Sequence, residues 1–183
     1  MADLNHPKRL AAIDGVATSR LPDPQLDALI NGVAAVASTP IALVSIVRES
    51  VQFFRAYVGL FGDLSESRVT ASCDSFCQFV VKGEAPFLVS DAAADARVPQ
   101  ALVARYGIRA YAGVPLMYQG QIIGSVCAID VKPREFSELQ IEAMRGLSGY
   151  IAQRLESLRL ESLRLEGLQQ GVDAAPPDLE TTP

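Results

Sequence analysis

The stretch RAYAGVPLMYQGQIIGSVCAID, Arg109 to Asp130, restricts the fold more than any other part of the chain. It reads as two strands around a turn at Gln119–Gly120. Both alternating sets of side chains are apolar: Ile123, Cys127 and Ile129 on one, Ile122, Val126 and Ala128 on the other. A strand that is apolar on both sides must be buried on both, so its sheet needs a cover on each face.

The rest of the chain supplies those covers. LPDPQLDALINGVAAVAS places Leu26, Leu29, Ile30, Val33, Val36 and Ala37 at helical spacing behind Pro24, and Pro40 closes the segment. Residues 1–21 carry spaced apolar positions at Leu10, Ile13 and Val16 and form a short helical extension. Ile41–Val47 and Gln52–Val58 read as a hairpin, and Gly59 to Arg68 as a polar loop. SCDSFCQFVV leads into a short helix that ends at KGEAP, followed by a strand in PFLVSD. AAADARVPQALVARYGI is an irregular helical segment stopped by Gly107. From Phe136 onward one long helix, capped by Ser137, runs through Leu139, Met144, Leu147, Ile151, Leu155 and Leu158. If it reaches Gln170 it is roughly 50 Å long.

This order predicts an α+β fold: a central antiparallel sheet, terminal helices on one face, and a pocket roofed by loops and short helices on the other. The long helix contains the tandem LESLRLESLRLE, whose leucines spread around the cylinder. Ile151, Leu155, Leu158 and Leu165 keep heptad spacing, with Ser162 in one slot. The reading is a short coiled coil over 159–170 and a homodimer; the alternative is a single amphipathic helix lying on its own domain. Residues 171–183 read as a disordered acidic tail.

A net charge of −5 and a sequence pI near 4.9 argue against a nucleic-acid binder. The longest apolar run, IALVSIV, is far too short for a membrane span, and no secretory leader is evident. Three cysteines suit a reducing cytoplasm better than a disulfide framework.

Cys73 and Cys77 invite sharper chemistry. A zinc site needs more Cys/His ligands, and the one histidine, His6, lies in the N-terminal extension. Residues four apart on a helix hold their β-carbons about 5–6 Å apart, too far for a relaxed disulfide, which needs about 3.5–4.5 Å. Pairing of either cysteine with Cys127 stays open. No nucleophile–base–orienter set and no phosphate-cradling glycine loop is found.

Three blocks in order, SFC at Ser75–Cys77, LVSDAAADARV at Leu88–Val98 and IRAYAGVPLMYQGQIIGSVCAID at Ile108–Asp130, resemble a GAF domain. They resemble in particular a bacterial subgroup patterned SFC, VxDA with a nearby DxR, RxYxGxPL and GxxCxxD. The resemblance spans about residues 25–158, so the domain is drawn at 22–158. It implies a pocket whose candidates are Phe54, Phe76, Cys77, Asp91, Arg97, Arg109, Tyr111 and Cys127. For each a structural role is the competing reading: Asp91 caps a helix, Arg97 pairs with it, and the aromatics fill the interior. Gly113–Pro115 reads as a kink or bulge.

The function implied is a non-enzymatic cytoplasmic sensory or regulatory module. It would bind a small molecule or a partner protein, act in trans as a dimer on a separate signalling protein, and carry no metal or cofactor. One alternative is a pure interaction adaptor with a filled pocket. The other is a thiol-dependent oxidoreductase of the free methionine sulfoxide reductase type. Against the latter, ARVPQALVARYG has no cysteine where those enzymes place their nucleophile. Bilin, haem and cyclic-nucleotide binding are disfavoured because Cys77 is followed by Gln78 rather than histidine, and no Asn-Lys-x-Phe signature is present.

Overall fold

The computed structural model describes residues 3–14, 16 and 21–173. Its elements are α1 (Pro7–Asp14), α2 (Pro24–Ala37), β1 (Ile41–Val47), β2 (Val51–Val58), α3 (Asp63–Ser67), β3 (Val69–Ala71), α4 (Cys77–Gly83), β4 (Phe87–Val89), α5 (Gln100–Tyr106), β5 (Ala110–Tyr118), β6 (Gln121–Asp130) and α6 (Glu138–Asp173).

The strands form one antiparallel sheet in the order β3-β2-β1-β6-β5-β4. The β5–β6 turn uses left-handed conformations at Gln119 and Gly120, the geometry that suits a two-residue hairpin. Along β1 and β6 neighbouring residues enter different cores. Val44, Ile46, Val126 and Ala128 join Leu26, Ile30, Val33, Met144, Ile151 and Leu155 from the helices. Leu43, Val47, Cys127 and Ile129 join Val80 and Val81 of α4, and Phe76 just before it, on the opposite face. The sheet is therefore covered on both sides, with α1, α2 and α6 on one.

Helix ends follow local chemistry. Asp23 caps α2 by accepting from the Leu26 amide at 2.8 Å. At α6, the Gln140 amide donates to Ser137 Oγ at 3.3 Å while Gln140 Oε1 accepts from the Ser137 amide at 2.9 Å, a capping box. The bulge in the β5–β6 pair falls between Leu116 and Met117. Arg9, 3% exposed, donates there to the Ile122 carbonyl at 2.8 Å, and also to Leu4 and Val47 carbonyls.

Several expectations are corrected. Gly59–Arg68 holds the helix α3, and Val69–Ala71 adds an edge strand. The irregular helix is reduced to α5. Gly113–Pro115 is not a bulge; a side chain at Gly113 would meet the Tyr111 hydroxyl at 2.3 Å, because that ring lies across it. Leu139 faces outward, 80% exposed.

The heptad seam is also divided. Ile151 and Leu155 are buried in the chain's own core, Leu158 packs at its edge, and Leu165 is exposed. The first two serve the domain's own core, where they join Leu26, Ile30, Val33 and Met144. The helix continues through Asp173, three residues past its expected end at 170, and residues 174–183 lie outside the described residues. Its 36 residues span about 54 Å. Among the described residues no helix is long and apolar enough to cross a membrane.

Candidate functional site

The site lies on the sheet face opposite the terminal helices, and a polar clamp positions it. Ser75 of the SFC element accepts from the Cys77 amide at 3.0 Å and donates to Gln52 Oε1. Ser45 donates to the same oxygen at 3.0 Å, and Gln52 Nε2 donates to Thr70 Oγ1 at 2.7 Å. The start of α4 is thereby hooked to β1, β2 and β3. Gln78, where a chromophore-attaching relative would have histidine, holds the preceding turn by donating to the Cys73 and Ser75 carbonyls at 2.7 and 3.0 Å.

The clamp sets Phe76 over Tyr111, ring centroids 5.1 Å apart, and turns Cys77 inward. Between these groups and the sheet lies a cavity of about 60 Å³. Leu43, Phe54 and Ile129 form its floor. Leu60, Phe61 and Leu64 close one side, and Leu102 and Tyr106 of α5 another. Asp63 ties those two sides together, accepting from Arg105 at 2.6 Å and from the Tyr106 hydroxyl at 3.3 Å.

At the inner end Cys77 Sγ is 4.0 Å from Cys127 Sγ, and the Tyr111 hydroxyl donates to Cys77 Sγ at 3.5 Å. Ser125 Oγ, on the same side of β6 and close enough to influence Cys77 and Tyr111, is fully buried and has no well-formed hydrogen bond among the described residues. Burial pushes the Tyr111 phenol well above its ordinary range. The thiols diverge. Cys77 is drawn below its ordinary value, chiefly by its hydrogen bond with Cys127, while Cys127 is pushed up by the same contact and by burial.

Of the residues expected at the pocket, Phe54, Phe76, Cys77 and Tyr111 line it, and Cys127 stands directly behind Cys77. Asp91, Arg97 and Arg109 do not. Arg109 makes a two-pronged pair with Asp91 at 3.0 and 3.1 Å on the exterior. Arg97 binds Asp95 instead of Asp91 and lies over the Phe87 ring. These charges keep contact with water rather than pay for burial in an apolar cavity. Asp91 does accept from the Ala93 amide at 3.2 Å, a local turn and not a helix cap. Among the described residues no group of three or more His, Cys, Asp or Glu could hold a metal ion.

Gln52, Thr70 and Ser125 were missed, as was Ser45. The two serines carried a signal: each is a single hydroxyl inside an otherwise apolar strand, in IALVSIV and IIGSVCA. The pairing of β1 with β6 sets them directly opposite each other.

A model of the GAF domain family matches residues 22–155. A cyclic di-GMP phosphodiesterase of Pseudomonas aeruginosa is 33% identical over 141 residues, which cover 75% of this chain. The match spans only 23% of that relative's length. Among solved structures, the GAF domain of an Acinetobacter phosphoenolpyruvate-protein phosphotransferase superposes with a TM-score of 0.64 at 16% identity, covering 88% of this chain and 99% of that one. The type II free methionine-R-sulfoxide reductase of Thermoplasma acidophilum superposes with a TM-score of 0.61 at 15% identity, covering 85% and 96%. At such identities the superpositions speak for the fold alone.

Proposed function

The chain belongs to the GAF domain family, and we propose that it is a non-enzymatic sensory or regulatory module whose input is a small, uncharged, mainly apolar molecule held under α4. One observation carries this reading. The cavity is walled mainly by aliphatic and aromatic side chains, its polar lining is limited to the uncharged Gln52 and Thr70 beside the Cys77 thiol, and every charged candidate near it points outward. An ionised ligand would enter without a countercharge, which is costly. A single water needs about 10–15 Å³ on the same measure, so about 60 Å³ suits a molecule of a few heavy atoms. It does not suit a dianionic cyclic dinucleotide of the kind in the phosphodiesterase relative's name.

Output runs through α6, which packs on the sheet's other face and then projects. Leu160, Leu163, Leu165 and Leu168 are each at least half exposed there. Such a surface favours a partner helix, and the simplest partner is a second copy. A dimer joined along the projecting helices would pass a shift in sheet packing to a signalling protein bound at their ends.

Thermal denaturation with small neutral probes (1-butanol and 2-butanone) and with cyclic di-GMP tests the input. A neutral probe at 100 times its Kd should stabilise the fold by about 2.7 kcal/mol. No shift with any neutral probe would leave the filled-pocket adaptor, and a shift with the dinucleotide alone would overturn the reading. Sedimentation velocity tests the output: a monomer at micromolar concentration refutes the dimer.

A further inference from the structure

Cys77 and Cys127 come from segments fifty residues apart in the chain, yet their sulfurs touch at 4.0 Å at the inner end of the cavity. We propose that this pair is a peroxide-sensitive modification site, in which a small hydroperoxide entering the cavity oxidises Cys77 and Cys127 closes the disulfide.

Three observations support it. Cys77 lines the cavity, so a small oxidant reaches its sulfur without unfolding the chain, and about 60 Å³ is room enough. The Tyr111 hydroxyl donates to Cys77 Sγ at 3.5 Å and the Cys127 thiol lies 4.0 Å from it, within reach to donate as well, an arrangement that favours the Cys77 thiolate. The Ser125 hydroxyl, buried in the same cluster and without a well-formed hydrogen bond among the described residues, can accept from or donate to an oxygen brought there. The separation of the two thiols' titrations agrees with this division of roles, Cys77 as the attacking sulfur and Cys127 as the one that keeps its proton.

The chemistry balances. The Cys77 sulfur attacks the outer oxygen of the hydroperoxide; an S–O bond forms, the O–O bond breaks, and the departing alkoxide or hydroxide takes the Cys77 proton. The Cys127 sulfur then attacks Cys77; an S–S bond forms, the S–O bond breaks, and hydroxide leaves as water with the Cys127 proton. Two electrons pass from the thiols to the peroxide, which becomes an alcohol or water. The bond would tie α4, the cavity's roof, to β6 in the middle of the sheet. Bond formation is independent of the ligand proposed above; only its value as a regulatory input rests on that reading.

The test uses the full chain with the exposed Cys73 changed to serine. The protein is treated with hydrogen peroxide, quenched, denatured, alkylated and mapped by mass spectrometry. Cys77 and Cys127 should disappear together from the alkylated pool, reappear as one linked peptide pair lighter by two hydrogens, and return on reduction. In Cys127→Ser, Cys77 should be trapped by dimedone as the sulfenic acid; if that variant does not fold, the linked peptide still decides. Both thiols staying alkylatable, or Cys77 overoxidising while Cys127 stays free, overturns the proposal. A linked peptide without any probe-induced melting shift would keep the disulfide and remove the ligand.

Discussion

Asp23 receives Arg154 on both carboxylate oxygens, at 2.8 to 3.2 Å, while its Oδ1 also takes the Leu26 amide that starts α2. One carboxylate thus ends one helix and pins a second, with the Asp23 side chain 7% and the Arg154 side chain 18% exposed.

Asp23→Ala removes a helix cap, worth about 1 kcal/mol, and takes from the largely shielded Arg154 the more buried of its two carboxylate partners, leaving only Glu161. The expected loss is about 2–3 kcal/mol in urea denaturation, with α6 the first segment to gain hydrogen exchange. Asp23→Asn, which keeps the cap, should lose less.

A second carboxylate gives acid sensitivity. Glu156 falls from 4.5 to about 2, first because Arg159 hydrogen-bonds it and then because the Tyr118 hydroxyl does. A pKa lowered by folding contributes stability that is complete above the unfolded value and vanishes as pH drops through the folded one. Stability should therefore decline as pH falls below about 4.5 and keep declining toward 2. Glu156→Gln should flatten that part of the profile and leave the neutral region's slope unchanged.

Arg9 has its guanidinium buried among backbone carbonyls, and burial draws its pKa down to about 10. Arg9→Met keeps much of the volume but orphans the carbonyls of Val47 and Ile122. An unsatisfied buried group costs about 1–3 kcal/mol, so calorimetry should find a clear drop in Tm. A loss no larger than that of a surface Lys8→Met control would show that the carbonyls find other partners.

Gly113→Ala places a methyl 2.3 Å from the Tyr111 hydroxyl and 2.8 Å from its ring. The ring must swing away, taking its contacts with Phe76 and Cys77 along. Overpacking of this kind costs about 1–3 kcal/mol. A crystal structure should show Tyr111 displaced into the cavity, and neutral probes should no longer raise the melting temperature.

Asp63→Ala should act on access rather than stability. Surface ion pairs contribute roughly 0–1 kcal/mol, and the Asp63–Arg105 pair is more than half exposed on both sides. Without it α3 and α5 are free to separate at the cavity mouth. Reaction of Cys77 with a small disulfide reagent, followed in a Cys73→Ser background, should quicken several-fold at unchanged Tm.

The sheet, the two covered faces and most helices were legible because apolar periodicity reports burial directly. α3 and β3 were not: five and three residues are too few to show a period. The site was legible by half. Phe76 and Tyr111 are large and apolar, so a place in the pocket and a place in the core coincide. Asp91, Arg97 and Arg109 sit in the same motifs, yet motif membership does not say which way a side chain points. Desolvation decided that, and it sent them to solvent. Ile151 and Leu155 failed in the converse way, since heptad spacing is equally the mark of a helix serving its own domain.

The central strand β6 is a partition one residue thick. Cys127 and Ile129 belong to the cavity side, Val126 and Ala128 to the helix side, and the backbone joining them is common to both. Pushing on one side of such a partition moves the other by the same backbone displacement. Ser148 of α6, buried against the next strand, holds the Pro115 carbonyl at 2.9 Å. The molecule therefore has no need of a long relay: what fills the cavity and what grips the sheet from behind share a single sheet of backbone.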